Sequence, residues 1–393
     1  MITFSYILII IGIILFFIVS NIKGPSIKLS KKTKEPKIAI LIPARNESKV
    51  ISNLIKSIKK QSYKIDSKDV YVIVESENDP TVKICNKNGI SVIVRKHLDL
   101  KTKGYALDEA FKYLKKENKK YDLYFIFDAD NILDKDYIKN MLVSYYEGYD
   151  IATGYRKSTN VNVNKCSVCS ALVFTLINSV DNKEREKHNK QLTLSGTGYF
   201  MTYDVVKDFG GGFPFHGLTE DKELSLYAIV KNYSMHYNEN AVFYDEQPTY
   251  MGTSMKQKAR WIKGYFNAEK KFDKTFKSDL TNPRYLNEVI GVIPYLFMIF
   301  GLVIQMFYWL FTNIFLFLLF LFVVYLALAT LTLYFLYLDA DKLGINSHMI
   351  QVALLYNPIY LCSFIPSFLY SLIMKNTWEV IPHTGVSADK VKI

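Results

Sequence analysis

Residues 1–22 carry no charged side chain, and neither do residues 289–338. Runs this long and this apolar constrain the chain more than any other feature. A helix of about 20 apolar residues crosses the hydrocarbon of a bilayer. The 393 residues include 49 Lys and Arg against 37 Asp and Glu. Five of each lie beyond residue 283, so 44 basic and 32 acidic residues, and with them the whole net charge of +12, fall in residues 23–283. This pattern predicts a basic, soluble middle held between apolar ends. Such a domain could meet anionic lipid, a phosphorylated ligand or nucleic acid. Half of the residues are hydrophobic, which excludes a disordered chain. Four cysteines in this length make no disulfide framework.

The first run has no basic residue before it. Lys23, Lys28, Lys31, Lys32, Lys34 and Lys37 follow it, opposed only by Glu35. The positive-inside rule then puts the N-terminus outside and the basic middle in the cytosol. A cleaved signal peptide would need a basic start and a small-residue cleavage site, and both are missing. The second run fits two helices turning near Thr312-Asn313. A polar loop from Asp339 to His348 precedes one more span over 349–374. Pro294, Pro358 and Pro366 leave re-entrant pieces open. The expected organisation is an N-terminal transmembrane anchor over 1–22, a cytosolic domain over 23–250 and an amphipathic interface region over 251–283. Three transmembrane helices over 284–375 and a tail over 376–393 complete it.

Within the middle, Ile38–Ile42, Val70–Val74, Ser91–Arg95 and Leu123–Phe127 read as strands. Between them, helical spacing follows Asn46-Glu47-Ser48 and covers Thr81–Lys87 and Tyr105–Lys116. Strands alternating with helices imply an α/β domain with a parallel sheet covered on both faces. Ligands of such sheets bind beyond the carboxyl ends of the strands. Attention therefore falls on Arg45-Asn46-Glu47, on Glu75 to Asp79, and on Asp128-Ala129-Asp130. Two carboxylates one residue apart suit a hard divalent cation that bridges to phosphates. The plainer reading is a turn, with Asp130 capping a helix over 132–142. Further on, Ser195-Gly196-Thr197-Gly198 lets a backbone come close to a ligand. Glu220-Asp221 sits at a helix start, where acidic pairs often only complement the dipole. Gln257-Lys258-Ala259-Arg260-Trp261 lies in a basic amphipathic helix of the kind that rests on a membrane surface. Cys166 and Cys169 read as ordinary thiols on a helix.

In this order, Ile40-Leu-Ile-Pro-Ala-Arg-Asn-Glu47, Lys103-Gly-Tyr-Ala-Leu107, Asp128-Ala-Asp130, Ser195-Gly-Thr-Gly198, Thr219-Glu-Asp221 and Gln257-Lys-Ala-Arg-Trp261 resemble the membrane-bound family 2 glycosyltransferases. These enzymes include cellulose, hyaluronan and poly-N-acetylglucosamine synthases and, as a single-transfer relative, ceramide glucosyltransferase. The resemblance implies an inverting GT-A domain, Rossmann-like, with α-helical transmembrane segments. It implies a UDP-sugar donor, a glycan or lipid acceptor, membrane lipid around the spans, and Mg2+ or Mn2+ as cofactor. On it, Asp128 contacts the nucleotide side and Asp130 is the metal ligand. Asp221 is the general base on the acceptor hydroxyl. Gln257, Arg260 and Trp261 hold the diphosphate and acceptor, and Lys103 lies near the nucleotide. Glu47, Gly196, Thr197 and Glu220 belong to the substrate-binding set. Glu75 stands where the family usually has an Asp touching uracil or ribose. Processive and single transfer both stay open, as does a partner subunit.

A reading from another class is a catalytically inactive membrane protein that binds anionic lipid or nucleic acid through its basic domain. No signature of a nucleic-acid module supports it. A transporter fails on charge, because the spans hold almost no ionisable residue.

Overall fold

The computed structural model describes residues 1–276 and 283–375. In chain order the strands are β1 (Ile38–Pro43), β2 (Val70–Val74), β3 (Ser91–Val94), β4 (Leu123–Ile126), β5 (Ile132–Leu133), β6 (Ile151–Ser158), β7 (Tyr199–Thr202) and β8 (Met235–Asp245). The helices begin with α1 (Ile2–Asn21), α2 (Ile51–Lys59), α3 (Pro80–Lys87), α4 (Lys103–Lys116), α5 (Tyr137–Glu147), α6 (Lys165–Thr175) and α7 (Lys183–Lys187). A π-helical segment, Leu176–Asn182, joins α6 to α7. Then follow α8 (Tyr203–Asp208), α9 (Glu220–Val230), α10 (Met251–Phe276), α11 (Pro283–Thr312), α12 (Ile314–Leu343), α13 (Ser347–Cys362) and α14 (Phe364–Ile373).

The sheet runs β3-β2-β1-β4-β7-β6-β8-β5. Its first four strands are parallel, as the alternation of strands and helices predicts. Every residue of β2 is buried, the mark of a strand covered on both faces. Alternate residues serve opposite cores. Ile38, Ile40 and Ile42 join Leu54 and Ile55 of α2 and Met141 of α5. Ala39 and Leu41 join Leu107 and Phe111 of α4 and Leu224 and Ala228 of α9. Beyond β4 the expected parallel order ends. β7 is antiparallel to both β4 and β6, and β6 and β8 then run parallel. The antiparallel turn of the sheet needs no crossover helix, so the sequence offers no βαβ signal for it.

Two boundaries shift for reasons that bear on the site. The helix expected from Asn46 starts at Ile51. Asn46 is left-handed at φ 57°, and its N–H donates to Asp79 Oδ2 at 2.9 Å, so the loop stays open beyond β1. The helix over 132–142 is also corrected. Ile132 and Leu133 pair with Tyr244 and Phe243 as β5, and α5 begins only at Tyr137. Asp130 therefore caps no helix.

Four helices are long and apolar enough to cross a membrane: Ile2–Asn21, Arg284–Thr312, Ile314–Leu343 and Ser347–Ile373. The last is α13 and α14 in succession, broken at Ser363. The turn expected near Thr312-Asn313 is present, with Asn313 capping α12 through the N–H of Leu316. The loop expected from Asp339 is shorter, because α12 runs on to Leu343 and stops at left-handed Gly344. Small residues bring α1 against α11. A Cβ at Gly12 would lie 2.6 Å from Met298 Cγ, and one at Gly301 would lie 2.6 Å from Ile9 Cγ1. Pro294 and Pro358 lie inside α11 and α13. The tail from Trp378 to His383 lies outside the described residues.

The basic helix over 255–271 is α10, and one of its lysines corrects the surface reading. Lys258 is buried, its Nζ 2.7 Å from Ser363 Oγ and over the ring of Tyr360. It joins α10 to α13 and α14 instead of facing headgroups. Burial pulls its pKa down to about 8.

Gly198 threads the sheet where β4 meets β7. Its N–H donates to Ile126 O and its carbonyl accepts from Gly154 N–H, both at 3.0 Å. Its φ is 65°, and an added Cβ would lie 2.2 Å from Phe243 Cε1. Gly198→Ala is expected to destabilise the chain by more than about 1 kcal/mol, read as a lower melting temperature in detergent.

Candidate active site

One cavity of about 600 Å3 gathers residues from nearly every loop at the carboxyl end of the parallel strands. Arg45 and Glu47 follow β1, Glu75 follows β2, and Asp128 and Asp130 follow β4. Gly196, Glu220, Asp221, Gln257, Arg260 and Trp261 come from the far half of the chain to the same wall.

Lys103, at the first turn of α4, is the hub. Its Nζ donates to Asp128 Oδ1 at 2.5 Å and to Gly196 O at 2.6 Å, and lies 3.7 Å from Glu220 Oε1. Burial works against its charge, but Asp128 and Glu220 outweigh burial and hold its pKa above that of a free lysine. The same burial acts on the acids. It pushes Glu220 up to about 7, with Lys103 opposing, and raises Asp221 as well. Asp221 accepts the N–H of Lys222 at 2.8 Å. Its other carboxylate oxygen would lie 3.6 Å from a Cβ on Gly196, so the glycine keeps the space before this acid open.

Arg260 brings a second cation. It feels the charges of Glu220, Asp128 and Asp221, while burial lowers its pKa. Its Nε is buried with no hydrogen-bond partner among the described residues. An unsatisfied guanidinium donor in a cavity is costly, and a phosphate group would satisfy it well. Trp261, beside it, meets Phe174 edge to face at 6.0 Å.

Asp130 has its oxygens near Asn131 Nδ2 at 3.3 Å and Glu246 N–H at 3.4 Å. Among the described residues no three His, Cys, Asp or Glu side chains converge as a metal cage. The donor set still suits Mg2+ or Mn2+. Asp128 and Asp130 supply hard oxygens, and such ions complete their shells with ligand phosphates and water.

Glu75 is clamped by Arg45 at 2.8 Å and Arg95 at 3.6 Å. Thr197 is a correction. It is fully buried below the Asp128 turn, where its hydroxyl accepts the Asp128 N–H at 2.8 Å and meets Asn131, so it shapes the turn and does not line the cavity. His216 lies off the cavity, stacked on Tyr105 at 4.1 Å. Cys166 and Cys169 are buried free thiols away from it.

Two groups of cavity residues escape sequence reasoning. Arg156 on β6 pairs with Asp245 at the end of β8, Nε to Oδ2 at 2.9 Å, and lies 4.0 Å over the Phe174 ring. Glu288 of α11 receives Arg185 Nη1 and Lys222 Nζ, both at 2.7 Å. These partners stand 89, 103 and 66 residues apart, so no local pattern announces them.

An open-cleft α/β domain with its acids and cations beyond the parallel strands, joined to long apolar helices, is the GT-A class of fold. The family model "Glycosyltransferase like family 2" matches residues 36–264, and the chain belongs to that family. The "Probable glycosyltransferase YdaM" of Bacillus subtilis (strain 168) is 23% identical over 237 residues, 58% of this chain and 55% of that protein. The "Uncharacterized protein MJ1222" of Methanocaldococcus jannaschii is 34% identical over 120 residues, 30% of this chain and 46% of that protein. The chain spans about half the length of these curated relatives. Among solved structures, the mannosyltransferase PcManGT from Pyrobaculum calidifontis, in complex with GDP-Man and Mn2+, aligns with a TM-score of 0.58. The match covers 94% of this chain and 99% of that one at 12% identity, a likeness of fold.

Removing one side of the Arg156–Asp245 pair leaves a buried charge, since the Asp245 side chain is only 3% exposed. Arg156→Met is expected to cost about 3 kcal/mol, measured by denaturant unfolding in detergent. A stability within error of wild type would contradict this.

Proposed function

We propose that the chain is an inverting glycosyltransferase. It moves a hexose or N-acetylhexosamine from a UDP-sugar to a hydroxyl of a glycan or lipid, at the inner face of a membrane. The observation that carries the reading is one cavity lined both by a half-buried acid, Asp221, and by a guanidinium, Arg260, whose Nε lacks a hydrogen-bond partner among the described residues.

The donor diphosphate would lie between Lys103 and Arg260, which match its charge. Asp128 and Asp130 would hold Mg2+ or Mn2+, which neutralises charge on the leaving diphosphate. Glu75, fixed by Arg45 and Arg95, would face the nucleoside. Asp221 accepts the proton of the acceptor hydroxyl. The acceptor oxygen bonds to the anomeric carbon as the bond from that carbon to the diphosphate breaks. The electron pair of the broken bond leaves with the nucleoside diphosphate. A single displacement inverts the anomeric carbon and needs no covalent nucleophile. Gln257 and Trp261 line the space for the sugars. The net positive charge of residues 23–283 supports a position against anionic headgroups.

Purified full-length protein with Mn2+, a lipid extract and a panel of UDP-sugars, with GDP-mannose alongside, is expected to release nucleoside diphosphate. Asp221→Asn and Asp130→Ala are each expected to lower release by about 100-fold or more. Unchanged release in both would overturn these roles.

Acidity gives a second check. A base works only when ionised, and burial raises the acids at Glu220 and Asp221. The rate should therefore fall on acidification at a pH above the ordinary carboxylate range. Glu220→Gln removes a negative neighbour of Asp221 and should move the acid limb of the kcat/KM profile to lower pH. A limb that stays in place would show that Glu220 and Asp221 do not interact.

A further inference from the structure

Part of the cavity lining, its apolar arm, offers nothing to a sugar nucleotide: Ile177, Leu192, Gly291, Val292 and Tyr295. The last three lie on α11, one of the helices long and apolar enough to cross a membrane. Tyr295 is 50% exposed and Val292 38%, so the arm opens outward among apolar side chains at the helix surface. Tyr295 also meets Phe16 of α1 edge to face at 5.9 Å, so the mouth adjoins the α1–α11 pair. Gly291 leaves this wall low: a Cβ there would meet nothing within 4 Å.

The charge in the arm narrows what can enter. Its two cations, Arg185 and Lys222, are each bonded to Glu288 at 2.7 Å, and Arg185 also to Asp181 at 2.7 Å. Lys222 lies 4.4 Å from the Tyr265 ring as well. Their charge is spent on Glu288 and Asp181, with Glu220 and Asp221 close by. An acceptor phosphate would enter here against carboxylates. It would also bring its own ionised oxygen and have no use for a base.

We infer that the acceptor is a neutral lipid alcohol, whose hydroxyl reaches Asp221 and whose hydrocarbon chain lies in the arm along Gly291, Val292 and Tyr295. The inference rests on the glycosyltransferase reading and names the acceptor class within it. The hydroxyl proton goes to Asp221, the oxygen bonds to the anomeric carbon, and the nucleoside diphosphate leaves with the electron pair of the broken bond. The product is a neutral glycolipid that stays at the membrane.

The test uses the full chain in phosphatidylcholine vesicles with labelled sugar nucleotides. The acceptors are oleyl alcohol, diacylglycerols from dibutyryl to dioleoyl, farnesyl phosphate and chitobiose. Label is expected in the organic phase with the lipid alcohols, with KM falling as the acyl chains lengthen. Gly291→Phe fills the arm and should raise KM for dioleoylglycerol about tenfold, the loss of about two buried methylene groups. It should also flatten the chain-length dependence, and Gly291→Leu should do so partly if the larger residue disturbs folding. Label found only in a chitobiose product, faster transfer to farnesyl phosphate, or an intact chain-length dependence in both variants would overturn the lipid alcohol. Absence of nucleoside diphosphate release with every donor and acceptor would instead sink the glycosyltransferase reading, and this one with it.

Discussion

Lys103 holds together three segments that are far apart in the chain. Its ammonium bonds Asp128 from the β4 turn and the carbonyl of Gly196, and it faces Glu220 at the start of α9. A buried charge must be compensated, and here the compensation is also the assembly of the cleft. Without a cation at this point, the carboxylates at Asp128, Glu220 and Asp221 would repel one another in a space with little water. With it, part of that repulsion is offset: burial raises Glu220 and Lys103 pulls it back down. Arg260 then adds positive charge that the acids near it do not satisfy at Nε. The cleft thus holds more carboxylates than cations at this point, yet leaves one guanidinium nitrogen without an acceptor among the described residues.

The helices of the apolar ends take part in this arrangement. Glu288 of α11 joins Arg185 and Lys222, and Lys222 follows Asp221 directly. Lys258, beside Gln257, is locked between Tyr360 and Ser363 on the other side of α10. The face of α10 that carries Arg260 is therefore set by contacts with both α9 and the α13–α14 pair. A shift of those helices would move Arg260 relative to Asp221.

Much of this was legible in the sequence because it is local. Asp128-Ala-Asp130 directly follows a buried run, and Gln257 and Arg260 are three residues apart on a helix, so each brings its chemistry to one face. The first four strands were legible because helices separate them. The antiparallel half was not, since β7 is a short run after a glycine turn and β8 alternates buried and exposed positions irregularly. Thr197 shows the limit of a motif. Ser195 and Gly196 before it reach the cavity, but its own side chain turns inward to hold the Asp128 backbone. Arg156 with Asp245, and Arg185 with Glu288, are pairs that only the folded chain reveals.

Arg260, whose Nε has no acceptor among the described residues, would receive the diphosphate of the donor. Calorimetric titration of UDP and GDP into the full-length protein with Mn2+ tests it directly, in wild type and in Arg260→Leu. Saturable binding of at least one nucleotide to wild type is expected, weakened by about tenfold to a hundredfold in the variant, the worth of hydrogen bonds to a charged group. Equal affinity in the two proteins, or no binding to wild type, would contradict it.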